Sequence, residues 1–181
     1  MEAKPIQSFL KPRRKRYIRQ GFFRCKNVGK YVGDPSQIIY RSSWELAFLK
    51  YCDSSENVLK YGSEPVGIRY INTLDNKQHV YYVDFFIETI GTMGTVQRWL
   101  IEIKPDKHTR PPKRPAKQTY KSMRNYNSAL RRYMMNISKF KAARQYAGRL
   151  GFKFCVMSYD TDKDTFKIID WEANENLLRK A

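Results

Sequence analysis

Three charged residues stand where apolar strands would not choose them. The stretch from Tyr81 to Pro105, YYVDFFIETIGTMGTVQRWLIEIKP, reads as a hairpin with a glycine-containing turn. Its strands carry Asp84, Glu102 and Lys104 among Val83, Phe85, Phe86, Leu100, Ile101 and Ile103. Charges in such company are expensive unless they are paired or bind a metal. Glu102 and Lys104 are two apart, so on a strand both leave the same face. Antiparallel pairing around the Ile90–Gln97 turn brings Asp84 beside Glu102. Two carboxylates on neighbouring strands make a hard-oxygen site suited to Mg²⁺ or Mn²⁺. Without the cation their repulsion raises at least one pKa; with it, both ionise. Lys104 is placed to orient or deprotonate a water, or to steady charge growing on a phosphate. The rival reading is a structural ion cluster, but one lysine cannot neutralise two carboxylates, and such a buried pair is costly.

The elements that must position these groups follow from periodicity and turn chemistry. A helix is expected over Ser43–Asp53, with Trp44, Ala47, Phe48 and Tyr51 along one face. Ser42 with Glu45 three residues later fits a capping box, and Glu45 on this helix is equally placed to be a ligand. Asn57–Ser63 reads as a connection, and Pro65 opens a strand, VGIRYIN, that ends at Asn72. After a turn containing Asp75-Asn76 come a strand HVYYVDFFIE, the Gly91/Gly94 turn and a third strand RWLIEIKP. The prolines of DKHTRPPKRPAKQ, Asp106–Gln118, exclude helix and predict an exposed basic loop. A helical region follows, with a break expected near Asn136 and Gly151 at its C-cap. FKFCVMS is a buried-strand candidate, and a short strand and a terminal helix close the chain. There is no internal repeat. The fold class is α/β, a mixed sheet flanked by helices. Residues 1–35 form a basic extended arm and residues 36–181 the folded domain.

The 181 residues carry a formal net charge of +18, and its placement is informative. Residues 1–30 hold ten Lys/Arg against Glu2 alone, a net of +9, and residues 104–124 hold eight against Asp106 alone, a net of +7. Only +2 is left for the rest. A nearly neutral body flanked by two basic segments fits a polyanionic partner better than a uniformly basic surface would. Arg13, Arg14, Lys15 and Arg16 in the arm are candidate phosphate contacts, as are Lys107, Arg110, Lys113 and Arg114 in the loop. The arm's KPRRKR run is weak evidence for a nuclear address. Cys25, Cys52 and Cys155 are far apart and odd in number, which argues against a disulfide framework or zinc site. No run approaches the ~18 apolar residues of a membrane span, and the N-terminus lacks the apolar stretch of a secretory signal. His79 and His108 are bystanders, and Ser42 and Ser43 have no His–Asp partners.

Asp84, then Glu102-Ile103-Lys104 across a hairpin, preceded by a helix carrying Glu45, resembles the PD-(D/E)XK nuclease superfamily. Over about Ser36–Ser158 the segments YRSSWELAFLKYCD, SEPVGIRY, YYVDFF, WLIEIKP, TRPPKRP and NISKFKAAR resemble the head completion nucleases of T-even-type tailed phages. The end-cleaving endonuclease subunits of some transposases share the same core pattern. The resemblance implies a restriction-endonuclease-like core, with Asp84, Glu102 and Glu45 as metal ligands, Lys104 as the catalytic lysine and Glu64 as an accessory or bracing group. It also implies that Lys139 and Lys141 approach the DNA backbone. Val83 replaces the proline that often precedes the aspartate, a change without obvious chemical consequence. The function implied is a Mg²⁺- or Mn²⁺-dependent nuclease hydrolysing double-stranded DNA during phage head completion or head–tail joining. It would act in the host cytoplasm, associated with the virion and with portal or neck proteins as partners. The alternatives are a non-catalytic DNA-binding head-closure protein on the same fold and a transposase endonuclease subunit. A ribosomal-type RNA-binding protein would explain the charge but not acids buried on a hairpin.

Overall fold

The computed structural model describes residues 20–176. Its centre is a five-stranded sheet in the order β3 (Val58–Ser63), β6 (Phe85–Ile90), β7 (Val96–Ile103), β8 (Lys153–Asp160), β9 (Thr165–Ile169). Neighbours are antiparallel except β7 and β8, which run parallel. A parallel pair needs a long crossover, supplied here by the prolyl loop and the helix α2 (Tyr120–Arg149). The helix α1 (Ser43–Ser54) covers one face of the sheet, where its Phe48, Leu49 and Cys52 pack with Phe85, Ile87, Ile101 and Ile103. On the opposite face, Ala143 and Ala147 of α2 pack with Leu100 and Val83. Phe140 joins Val156, Ile169 and Trp171, the last at the start of α3 (Trp171–Asn176). Side chains on β7 therefore alternate, Leu100 towards α2 and Ile101 and Ile103 towards α1. By the same period Glu102 and Lys104 leave on the α2 side.

Four expectations change. The stretch read as a connection is β3, whose Lys60 and Gly62 spoil an apolar alternation. It is fixed by pairing on both sides, with β6 and with Tyr31 and Val32, the Val32 N–H donating to the Tyr61 carbonyl at 2.8 Å. Gly62 permits that approach, because a Cβ there would stand 2.9 Å from the Val32 carbonyl oxygen. The strand that Pro65 was expected to open begins two residues later, as β4 (Gly67–Asn72). The single strand HVYYVDFFIE is two strands. Its first half, β5 (Lys77–Tyr82), pairs with β4 in a separate hairpin packed on α2. The chain leaves that hairpin at Val83–Asp84 and enters the main sheet at Phe85. The break expected at Asn136 is absent, since α2 is continuous for 30 residues. Asn136 is held inside the helix, where its Nδ2 donates to the His108 carbonyl at 3.1 Å.

Residues 1–19 of the expected arm, with Arg13–Arg16, lie outside the described residues. Residues 20–35 are tied to the body. The strand β1 (Gly21–Phe22) pairs with β2 (Ile39–Tyr40). The Asp53 carboxylate, at the end of α1, accepts from the backbone N–H of Lys26 (2.8 Å) and Asn27 (3.0 Å) and from Tyr61 Oη (3.1 Å). Gly151 sits one residue beyond the Leu150 C-cap of α2 with φ +69°. There the Phe152 N–H reaches the Ala147 carbonyl and the Gly151 N–H the Gly148 carbonyl, a Schellman stop.

Candidate active site

The hairpin β6–β7 pairs Phe85 with Ile101, so one step further Asp84 lies opposite Glu102. At that step the regular ladder ends and side chains take over. The Asp84 Oδ2 accepts the Ile103 N–H at 2.7 Å, and the Asp84 N–H donates to Glu102 Oε2 at 3.4 Å. Lys104 N–H donates to the Met157 carbonyl, carrying the parallel pairing with β8 one residue past β7. Its Nζ lies 2.8 Å from Glu102 Oε1 and 3.4 Å from Asp84 Oδ2. The three residues picked from spacing alone thus form one cluster, with Glu102 only 2% exposed.

The two partners of the Lys104–Glu102 ion pair are shifted in ways that look contradictory and are not. Burial pulls the Lys104 ammonium down, but Glu102 and Asp84 together outweigh it and hold the lysine above its ordinary value. Burial and then the Asp84 charge push Glu102 up, to about 7, against the single ammonium. Two carboxylates share one cation, so the cluster is one positive charge short at alkaline pH.

Glu45 comes from the N-terminus of α1, and its direct contacts are those of the helix cap. It closes a capping arrangement with Ser42: the Glu45 N–H donates to Ser42 Oγ (3.2 Å), and Ser42 Oγ donates to Glu45 Oε1 (2.8 Å). The Arg41 N–H donates to Glu45 Oε2 at 2.7 Å. Burial raises the Glu45 pKa against these donors, and the charges of Asp84 and Lys104 both act on it. Glu64 is a brace. Arg41 grips its carboxylate through Nε (2.8 Å) and Nη2 (3.0 Å), and its N–H donates to the Asp84 carbonyl at 2.9 Å. It adopts φ +46°, a left-handed conformation uncommon for L-residues. Glu64 and Arg41 therefore clasp the start of α1 to the backbone of Asp84.

The basic candidates divide. Lys139 is half-buried and lies over the rings of Tyr81 (5.6 Å) and Tyr70 (5.8 Å). Burial lowers its pKa, and the charges of Glu102, Lys104 and Asp84 reach it. Lys141 instead bonds Glu175 at 2.6 Å. Arg110 is bidentate to Asp106. Lys107, Lys113 and Arg114 are exposed on the prolyl loop. A cleft of about 770 Å³ opens beside the cluster, lined by Glu45, Lys104, Trp44, Tyr159, Lys107 and Lys167. His79 bonds Asp75 and His108 bonds Arg132, so both histidines are engaged outside the cluster.

Among the described residues no three His, Cys, Asp or Glu groups are gathered as a ready metal cage. The donor set still fits a divalent cation. It offers two hard carboxylate oxygens groups with an uncompensated negative charge, and burial leaves little water to neutralise them. Among the described residues the Tyr81 hydroxyl is buried without a hydrogen-bond partner, a group that the sequence gives no reason to single out.

The family model for the TnsA-like endonuclease N-terminal domain matches residues 55–159, from β3 to β8, which takes in Asp84, Glu102, Lys104 and Lys139 and leaves out Glu45. The chain is 34% identical over 135 residues to the head completion nuclease of Enterobacteria phage T4, a match covering 75% of this chain and 87% of that protein. No solved structure gives a significant match. The matched span contains the β6–β7 hairpin that carries Asp84 and Glu102, and the chain belongs to the TnsA-like endonuclease family and is a relative of the phage head completion nucleases.

Proposed function

We propose that the protein is a divalent-metal-dependent nuclease that hydrolyses phosphodiester bonds in double-stranded DNA during phage head completion, in the cytoplasm of the infected host. The observation that carries this reading is the Asp84–Glu102–Lys104 cluster, one buried and one partly buried carboxylate sharing one lysine at the end of a strand pair. The match to the T4 head completion nuclease supports the biological setting, and portal or neck proteins are the partners that setting would supply.

Asp84 and Glu102 would hold the metal, with Glu45 reaching the same centre by turning from Ser42. Bound there, Mg²⁺ or Mn²⁺ supplies Lewis-acid stabilisation of the charge that builds on phosphate oxygens in the transition state. Lys104, with Nζ 2.8 Å from Glu102 Oε1 and 3.4 Å from Asp84 Oδ2, would orient the attacking water and steady the charge growing on the phosphate. Glu64 and Arg41 fix the backbone of Asp84 against α1 and keep the two ligand-bearing elements in register. Lys107, Lys113 and Arg114 hold the DNA backbone without reading sequence, which predicts steep salt dependence.

The test is incubation of the purified protein with supercoiled plasmid and Mg²⁺ or Mn²⁺, with and without chelator, beside Asp84→Asn and Lys104→Met. Nicking or linearisation by wild type alone, abolished by chelator, is the expected result. A wild type that leaves the plasmid intact, or variants that cut as fast as wild type, would remove the catalytic assignment.

A further inference from the structure

The cleft beside the acidic cluster does not end there. Trp44 and Glu45 of α1, Lys104 after β7 and Tyr159 of β8 line it. A second hollow of about 600 Å³ lies further along α1, lined by Leu46, Lys50 and Tyr51 with Phe166 of β9. Ser43 and Tyr159 line both, so the two adjoin and together form a groove leading away from Lys104. Its walls follow from the layering of the fold. By the strand period Cys155, Met157 and Tyr159 share one face of β8. Cys155 belongs to the core beneath α1, whereas Tyr159 lies near the strand's end, outside that core. The Tyr159 ring is 6.2 Å from Trp44 and 4.8 Å from Phe166. Phe48 stands 5.2 Å from Phe166 and 6.1 Å from Tyr51, which continues the row of rings. Phe48 is buried, but Trp44, Tyr159 and Phe166 are half-buried and Tyr51 is 49% exposed.

A duplex backbone calls for a basic groove. This one is nearly neutral, with five Lys or Arg and four Asp or Glu along its lining. What it offers in excess is ring faces, and the Asp164 carboxylate holds one of them in place by accepting from the Tyr159 hydroxyl. Hollows of this size admit a group as large as a nucleotide rather than a double helix. The near end of the groove is the candidate active site itself, so the occupant that fits is one joined to the phosphate being cut. We propose that the groove takes unpaired nucleotides of the cleaved strand, one base stacking on Trp44 and Tyr159 and the next lying towards Tyr51. The preferred substrate is then duplex DNA that presents an unpaired strand, not intact duplex. This rests on the nuclease reading and adds the substrate class to it. Every base has a face to stack, so the preference is for structure and not for sequence.

The experiment has a binding arm and a cutting arm. In the first, fluorescence anisotropy in chelator compares a single-stranded oligonucleotide with an abasic strand of equal length and charge. The proteins are wild type, Trp44→Leu, Tyr159→Leu and Trp44→Phe, held at a temperature where melting curves show each to be folded. Wild type should bind the strand with bases about tenfold more tightly, the scale of a base–aromatic stack. Each leucine variant should shrink that difference to about threefold or less, and Trp44→Phe should restore most of it. Equal affinities in wild type, or a difference that survives in both leucine variants, would overturn the proposal. Should a variant not fold, the wild-type comparison still decides. In the second arm, single-turnover cleavage in Mg²⁺ compares a blunt duplex with the same duplex carrying a frayed end. Wild type should cut the frayed substrate at least about tenfold faster, and the leucine variants should bring that ratio towards one. A wild type that cuts both at the same rate would overturn the proposal. A wild type that cuts neither removes the nuclease reading instead, and the binding arm alone then decides the groove.

Discussion

Replacing Glu102 by glutamine keeps the shape of the side chain and removes one of the two charges that share Lys104. The consequence is a change of stability with pH that can be worked out in advance. In the native protein the Glu102 carboxyl is raised from its ordinary 4.5 to about 7 by burial and by Asp84. At about 1.4 kcal/mol per pH unit, that displacement corresponds to roughly 3 kcal/mol against folding once the group is ionised. Because the folded pKa is raised and the group is an acid, the native state binds the extra proton between pH 4.5 and about 7. Wild-type stability from this group is therefore highest below 4.5, falls as pH rises through that window, and is level above 7. Glutamine has no such slope. Its amide oxygen still accepts from Lys104, but the hydrogen bond is weaker without the charge, which offsets part of the gain. The variant should gain on wild type by roughly 5 to 10 °C in melting temperature between pH 5 and pH 8 in chelator, while losing all cutting. Thermal melts at half-unit steps of pH, with both proteins in the same buffers, measure the difference directly. A difference that stays constant with pH would show that Glu102 titrates normally and that the crowding argument is wrong. Added Mg²⁺ at pH 8 should stabilise wild type and leave the variant nearly unchanged.

Three further outcomes follow from other parts of the molecule. Glu45→Gln retains an acceptor for the Arg41 N–H, so stability should change by less than about 1 kcal/mol, whereas cutting should fall at least about tenfold if Glu45 reaches the metal; an unchanged rate would leave it a helix cap and nothing more. Asp53→Ala strands the N–H groups of Lys26 and Asn27 and the Tyr61 hydroxyl, and urea unfolding should show a loss of roughly 3 kcal/mol, with a loss under about 0.5 kcal/mol refuting the claim that this carboxylate anchors residues 26 and 27. Reversing Lys113 and Arg114 to glutamate should weaken duplex binding equally for unrelated sequences and reduce the slope of affinity against salt by about two, and an unaltered slope in filter binding would exclude both from the backbone contacts.

What could be read from the sequence was whatever had a short period or a charge out of place. Glu102 and Lys104 announce a shared face because strand geometry repeats every two residues, and Asp84 comes opposite Glu102 because the hairpin between them is tight. The first helix was legible for the same reason, from Trp44, Phe48 and the Ser42–Glu45 spacing. The seam at Val83–Asp84 had no such signal, because YYVDFFIE runs through it as one apolar strand and only the partners differ on either side. The strand Val58–Ser63 was hidden because its fitness lies in Gly62 admitting another segment, which is a property of the neighbour. Asn136 looked like a cap and is a helix-interior donor, since the carbonyl it satisfies comes from His108, far away in sequence. The Tyr81 hydroxyl could not be told from that of its neighbour Tyr82, because being buried without a partner is visible only in three dimensions.

The unbroken helix α2 has a consequence for the size of what the protein can handle. No side chain of its first 13 residues, about 20 Å of helix, is fully buried. That length bears Lys121, Arg124, Arg131 and Arg132 and no acid. Basic side chains on a loop can follow a partner, but on a helix they sit at fixed distances from Lys139 further along the same rod. On the nuclease reading a grip so mounted would act as a ruler: duplexes too short to reach the free end of the rod would forfeit those contacts together, and the length of a helix would set the shortest good substrate.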